Sequence, residues 1–254
     1  MKYIKYGFVI ALMLVSFYAS DRLLLYVESL SPIMKSIESN LPSDILPVNA
    51  VIDGNTIIPG KNGEVVNKRE SYLKMNDFGA FNETFYVYDY VKPRVSLYDN
   101  LDKIIVRGFS KTDVSLIVDN KEFENYLLEN NIKFSKIISK SEEIENKNIE
   151  YINGGLNSSE AKSLDVYFKR NKINKKLCII GYSSNSYCSE NKYFKIEPTI
   201  DIYKSNLASE KGKIDGGSII FIHNNLNISE AKLILNEITA NNLNIIYLSD
   251  LISE

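Results

Sequence analysis

His223 is the sole histidine of the chain, and it closes an apolar run, Ser218–Ile222, that follows the turn Asp215-Gly216-Gly217. Imidazole is the side chain best suited to proton transfer near neutral pH. A lone histidine at such a place reads first as a structural imidazole, hydrogen-bonded at a strand end. Asp119 ends a second apolar run that starts at Asp113, and Asn120 follows it. That neighbouring side chain is a neutral amide, a much poorer ligand for a divalent cation than a carboxylate. Cys178 and Cys188 enclose the stretch IIGYSSNSY. They can close a disulfide loop worth about 2–3 kcal/mol in the chain-entropy picture, or stay reduced with one as a core residue. Two cysteines without histidines do not make a zinc site, and no thiol-enzyme motif surrounds either one.

These residues need strands and helices to hold them. Ser218–Ile222, between Gly-Gly and Asn-Asn, reads as a buried strand. A helix over Glu230–Asn241 follows, capped by Ser229 or Asn227, with Ala231, Ile234, Leu235 and Ile238 as its apolar stripe. Asn244–Leu248 is the last predicted strand. Around Asp119 the pattern is strand Asp113–Asp119, helix Lys121–Asn130 and strand Phe134–Ser139, a βαβ unit with parallel strands. Leu101–Phe109 is a strand before it. After it, Ile149–Lys162 (IEYINGGLNSSEAK) gives a strand and a helix start capped by Asn157 or Ser158, with Glu160 in the first turn. Tyr193–Ile202 reads as a strand interrupted by Pro198, and Lys204–Lys213 as a polar connection or short helix.

The stretch DGGSIIFIH, with LSDLISE after it, resembles the last conserved part of the polysaccharide deacetylase (NodB-homology) family, where a pattern like pGsIIllH ends the final motif. VSLIVDNKEF resembles that family's opening motif, TFDDG at a strand end. The resemblance implies a distorted (β/α) barrel with its functional end at the C-terminal rim of the strands. It places Asp119 at the catalytic base, His223 at the catalytic acid, and Asn120 at a metal-binding aspartate. Asn153 falls about where the first histidine of the family's H(S/T)xxH motif stands, and no histidine occurs in that segment. Cys178–Cys188 lies where the family has an arginine-containing RxPyG strand and loop, with neither arginine nor proline to match. One histidine cannot supply the pair that grips the family's metal. The expectation is therefore no metal and no cofactor, with Asp119, Asn120 and His223 left to hydrogen-bond sugar hydroxyls. The alternative is a divalent cation such as zinc on an unusual ligand set.

At the N-terminus, Lys2 and Lys5 precede an apolar run, Tyr6–Ala19, which Asp21-Arg22 ends. A helix over Tyr6–Ser20 spans roughly 22 Å, short of the ~30 Å hydrocarbon core, and Leu23–Val27 can extend it. Phe17 and Tyr18 make a poor cleavage site, so an uncleaved anchor is expected, with the rest of the chain outside the cytoplasm. Leu24–Leu41 reads as an amphipathic stalk broken at Ser31-Pro32. Val48–Val66 reads as a hairpin with turns at Asp53-Gly54-Asn55 and Pro59–Gly63. Asn67–Met75 reads as a helix and Phe81–Pro93 as a strand. Tyr86, Tyr88, Tyr90 and Tyr98 suit either sugar stacking or one face of a core.

A formal charge of −2, with both signs mixed along 254 residues, gives no electrostatic reason to expect nucleic acid. The predicted fold class is α/β: a deacetylase-type distorted barrel over residues 101–254, behind a small β-containing domain (48–100), a stalk and linker (28–47) and a membrane helix (1–27). The predicted function is non-catalytic binding or organisation of cell-wall or other envelope polysaccharide at the cell membrane. A metal-dependent hydrolase of glycan N-acetyl groups and a structural partner in envelope assembly are the alternatives.

Overall fold

The computed structural model describes residues 2–140, 149–173 and 176–254. It divides into two compact units, Met1–Leu46 with Gly63–Val91, and Pro47–Asn62 with Lys92–Glu254.

The first unit begins with α1 (Lys2–Leu30) and α2 (Pro32–Ser39). Pro32 opens α2, where its missing N–H is no loss, and the Ser31 hydroxyl accepts from the Ile33 N–H. Over Val9–Leu30, α1 is long and apolar enough to cross a membrane, and its apolar side chains are exposed. Glu28, by contrast, is buried and pairs with Arg69 at 3.4 Å, so the last turns of α1 belong to the folded unit. Arg69 lies on α3 (Lys68–Phe78), which Asn67 caps and Gly79 ends with φ +85°, a conformation that favours glycine. Strands β3 (Gly63–Val66) and β4 (Tyr88–Val91) pair antiparallel.

The second unit opens with the hairpin β1 (Val51–Asp53) and β2 (Thr56–Ile58), turned at Gly54 as the Asp-Gly-Asn signal predicts. The Pro59–Gly63 turn does not continue that hairpin into β3. Lys61 instead exchanges both backbone hydrogen bonds with Val48. Gly60 lies so close to Val48 that a side chain there would collide with its carbonyl.

The remaining strands run parallel and fall into two sheets among the described residues. In one, β1-β2 continues through β5 (Ile104–Ile105) and β10 (Phe194–Ile196) to β9 (Leu177–Ile179). In the other the order is β11 (Ile200–Ile202), β12 (Ile219–Ile222), β6 (Asp113–Val118), β7 (Ser135–Ile138) and β8 (Glu150–Asn153), with β13 (Asn244–Ile245) on β6. The α/β class and the βαβ unit β6–α4–β7 are as the sequence predicts, with α4 at Lys121–Glu129. Pro198 does more than interrupt a strand: it separates β10 from β11, and the two join different sheets.

Near-continuous apolar strands are expected where both faces are covered. In β6, Val114, Leu116 and Val118 face the cluster of Phe123, Leu127, Ile234 and Ile238, contributed by α4 and by α8 (Ile228–Ala240), which follows the short α7 (Leu207–Glu210). Ile117 faces the other way, into a cluster with Ile105, Ile152, Ile179, Ile219, Phe221 and Leu248. Each fully buried Ile or Phe contributes about 2 kcal/mol by leaving water. Asn227, not Ser229, caps α8 in a capping box with Glu230. Asn157, not Ser158, caps α5 (Ser158–Arg170). The last strand is short, and α9 (Leu248–Leu251) takes over where a longer one was expected.

Candidate functional site at the strand ends

Parallel register brings the sequence-predicted residues together. Ile222 pairs with Ile202 on one side and Val118 on the other. The next residues on those three strands, Tyr203, His223 and Asp119, therefore stand side by side at the C-terminal ends. The Asp119 N–H donates to the Ile222 carbonyl at 3.0 Å, and the His223 N–H donates to the Ile202 carbonyl at 3.2 Å.

His223 is buried, with its ring stacked on Tyr203 at a centroid distance of 3.8 Å and 8° between planes. Phe221 lies 4.1 Å from the same ring. Its Nε2 is 3.2 Å from Asp201 Oδ1. Asp201 is the exposed middle residue of β11, between two buried isoleucines. Tyr182, from the loop after β9, meets Phe221 edge-on at 5.0 Å and lies 6.1 Å from His223. Burial pushes the Tyr182 phenol well above its ordinary range, and the Tyr203 hydroxyl and the charges of Asp201 and Asp119 push the same way. Asp119 is exposed on this rim.

The amides behave differently. Asn120 is buried: its Oδ1 accepts from the Phe123 N–H at 3.0 Å as the cap of α4, and its Nδ2 donates to the Leu226 carbonyl at 2.7 Å. Asn153, also buried, accepts from the Gly155 N–H at 3.1 Å and donates to the Ala161 carbonyl at 2.8 Å. Both amide ends of each residue are engaged by backbone. Gly155 packs where a side chain would collide with the backbone of Ala161, which fixes this turn against α5.

Cys178 on β9 and Cys188 on α6 (Asn185–Glu190) are joined by a disulfide, their Cα atoms 6.4 Å apart. The bond ties the start of the Tyr182 loop to the helix that follows. Tyr86, Tyr88 and Tyr90 belong to the first unit, where the Tyr86 hydroxyl donates to the Asn40 carbonyl. Tyr98 packs edge-on against Phe194.

No family model matches the chain. Wild-type BA3943, described as a CE4 family pseudoenzyme from Bacillus anthracis, superimposes with a TM-score of 0.54 at 20% identity, covering 88% of this chain and 96% of that one. The fold is that of the CE4 polysaccharide deacetylases. A BA3943 mutant described as having restored enzymatic activity gives a TM-score of 0.53 at 20% identity, over 88% of this chain and 99% of that one. An uncharacterized protein of Bacillus subtilis, YlxY, is 34% identical over 103 residues, which is 40% of this chain. The match spans 32% of YlxY, about a third of that relative.

The divalent cation implied by the CE4 fold finds a poor donor set. Among the described residues no three His, Cys, Asp or Glu side chains form a group that could hold a metal ion. The positions laid on the family's ligand motifs carry the amides of Asn120 and Asn153, turned into the backbone. Sequence reasoning missed Asp201, Tyr203 and Tyr182. The first two were accessible through the register of IDIY against FIHN; Tyr182 required the loop.

Proposed function

We propose that this chain is a divergent CE4-fold protein that binds envelope glycan at the cell surface without deacetylating it, held at the membrane by α1. The observation that carries the reading is the division of the rim. Asn120 and Asn153 are engaged by backbone, while Asp119, Asp201, Tyr182 and Tyr203 line the rim around His223. Carboxylates and phenols accept from and donate to sugar hydroxyls, and aromatic faces suit the apolar faces of sugar rings. De-N-acetylation in this fold relies on a cation to polarise the amide carbonyl and activate water, and the donor set here does not suit one. BA3943, of the same fold, is itself described as a pseudoenzyme.

The test is retention of the full chain, in mild detergent, on insoluble peptidoglycan, with soluble chitooligosaccharide as competitor. Retention that competitor releases, with no acetate set free, is expected. A folded protein that is not retained overturns the reading. Release of acetate together with bound metal would establish the hydrolase, and crosslinking to a protein in place of glycan would establish an assembly role.

A further inference from the structure

At the other end of the strands lies a cavity of about 370 Å³ that the rim does not use. Its lining residues Leu177 and Phe194 are the first residues of β9 and β10. Ser249 lines it too, and its N–H donates to Glu150, the first residue of β8. Asp119 and His223 follow the last residues of their strands, so the cavity and the rim lie at opposite strand ends.

The cavity has an apolar body and a cationic mouth. Tyr98 and Phe194 form an aromatic corner, their rings 5.6 Å apart and edge-to-face, and Leu101, Leu177 and Ile252 complete the wall. Two lysines, Lys176 and Lys192, line the cavity, and no carboxylate does. Lys176 donates to the Asn191 carbonyl at 3.1 Å, and its ammonium lies 5.8 Å from the centre of the Tyr193 ring. Lys192 has no ion-pair partner among the described residues. The Ser249 hydroxyl oxygen is buried and has no hydrogen-bond partner among the described residues. Glu150 stands behind Ser249, its carboxylate engaged by the Ser135 hydroxyl and the Ser249 N–H.

The geometry points to a binding site for a small amphipathic anion: an aromatic or compact aliphatic body in the cavity, with a carboxylate, sulfonate or phosphate between Lys176 and Lys192. The volume lies within the range of ordinary small-ligand pockets, and the charge selects the anionic end. This site is independent of the glycan reading.

The probe is 4-benzoylbenzoate, a photoreactive aromatic carboxylate, applied to the full chain and followed by mass-spectrometric mapping. Labelling is expected to saturate and to concentrate on peptides carrying Tyr98–Leu101 and Ser249–Ser253. Naphthoate should compete, while neutral naphthalenemethanol and inorganic sulfate should compete at least about tenfold less well. The double variant Lys176→Glu/Lys192→Glu, altered at two exposed positions, should raise the half-saturating concentration by about tenfold. If that variant loses its circular dichroism spectrum, Ser253→Trp, which fills the mouth, takes its place and should abolish the labelling. Diffuse labelling, equal competition by the neutral alcohol, or unchanged labelling in a folded variant overturns the proposal.

Discussion

The two sides of the strand-end rim hold polar residues of similar size and use them in opposite ways. Just past β6 and at the end of β8, Asn120 and Asn153 are sunk in the protein, each bridging a backbone N–H and a backbone carbonyl. On β11 and β12, Asp201 and His223 pair side chain to side chain beneath two half-buried tyrosines. Chemistry explains the division. An amide offers a donor and an acceptor at once and can close a helix cap and hold a neighbouring loop together, which an ionised carboxylate cannot. The difference teaches that a strand end whose amide is engaged by backbone is scaffold, whereas the rim beside it holds side chains that meet one another.

The comparison breaks most visibly on the scaffold side. Asn153→Ala leaves the Gly155 N–H and the Ala161 carbonyl unpaired in a buried place, and should lower the urea-derived stability by about 2–4 kcal/mol. If the loss is within error, Asn153 is not scaffold. Reducing Cys178–Cys188, or replacing both by serine, should remove about 2–3 kcal/mol, read as a fall in the denaturation midpoint. Asn120→Asp keeps the acceptor that caps α4 and loses the donor to Leu226, so about 1–2 kcal/mol is expected from the same measurement.

Acid titration sharpens the contrast between a carboxylate held for structure and one held on the rim. Burial raises the Asp165 carboxyl, but hydrogen bonds from Lys169, Tyr193 and Tyr187 outweigh it and hold the group below its ordinary 3.8. A depressed folded value means the stabilisation is complete above about pH 4 and disappears as pH falls through the folded pKa. Asp165→Asn should therefore flatten the acid limb of a stability–pH curve; an unchanged limb would contradict the assignment. The smallest stability effect belongs to Asp201→Asn, within about 0.5 kcal/mol at an exposed position. That variant should nevertheless lose much of its peptidoglycan retention, and unchanged retention would remove Asp201 from the binding face.

Much of this was legible in the sequence because local chemistry and tertiary structure agree. The runs VSLIVD and SIIFIH are apolar on both faces, as strands of a covered parallel sheet are, and they end at Asp119 and His223. The first turn, Asp53-Gly54-Asn55, acted as its residues dictate. The second did not, since Lys61 bonds Val48 and leaves β3 to pair with β4. Pairings of that kind depend on distant backbone partners, which no local pattern encodes. The engagement of Asn120 by Leu226, 106 residues away, was invisible for the same reason. Asp201 and Tyr203 became identifiable only once Ile202 was set against Ile222.

The most direct test is calorimetric titration of the purified full chain with Zn²⁺ or Co²⁺, alongside Asp119→Ala and His223→Ala. With amides turned into the backbone at two of the family's ligand positions, no stoichiometric uptake is predicted in any of the three. One ion per chain in the parent protein, lost in both variants, would contradict the account.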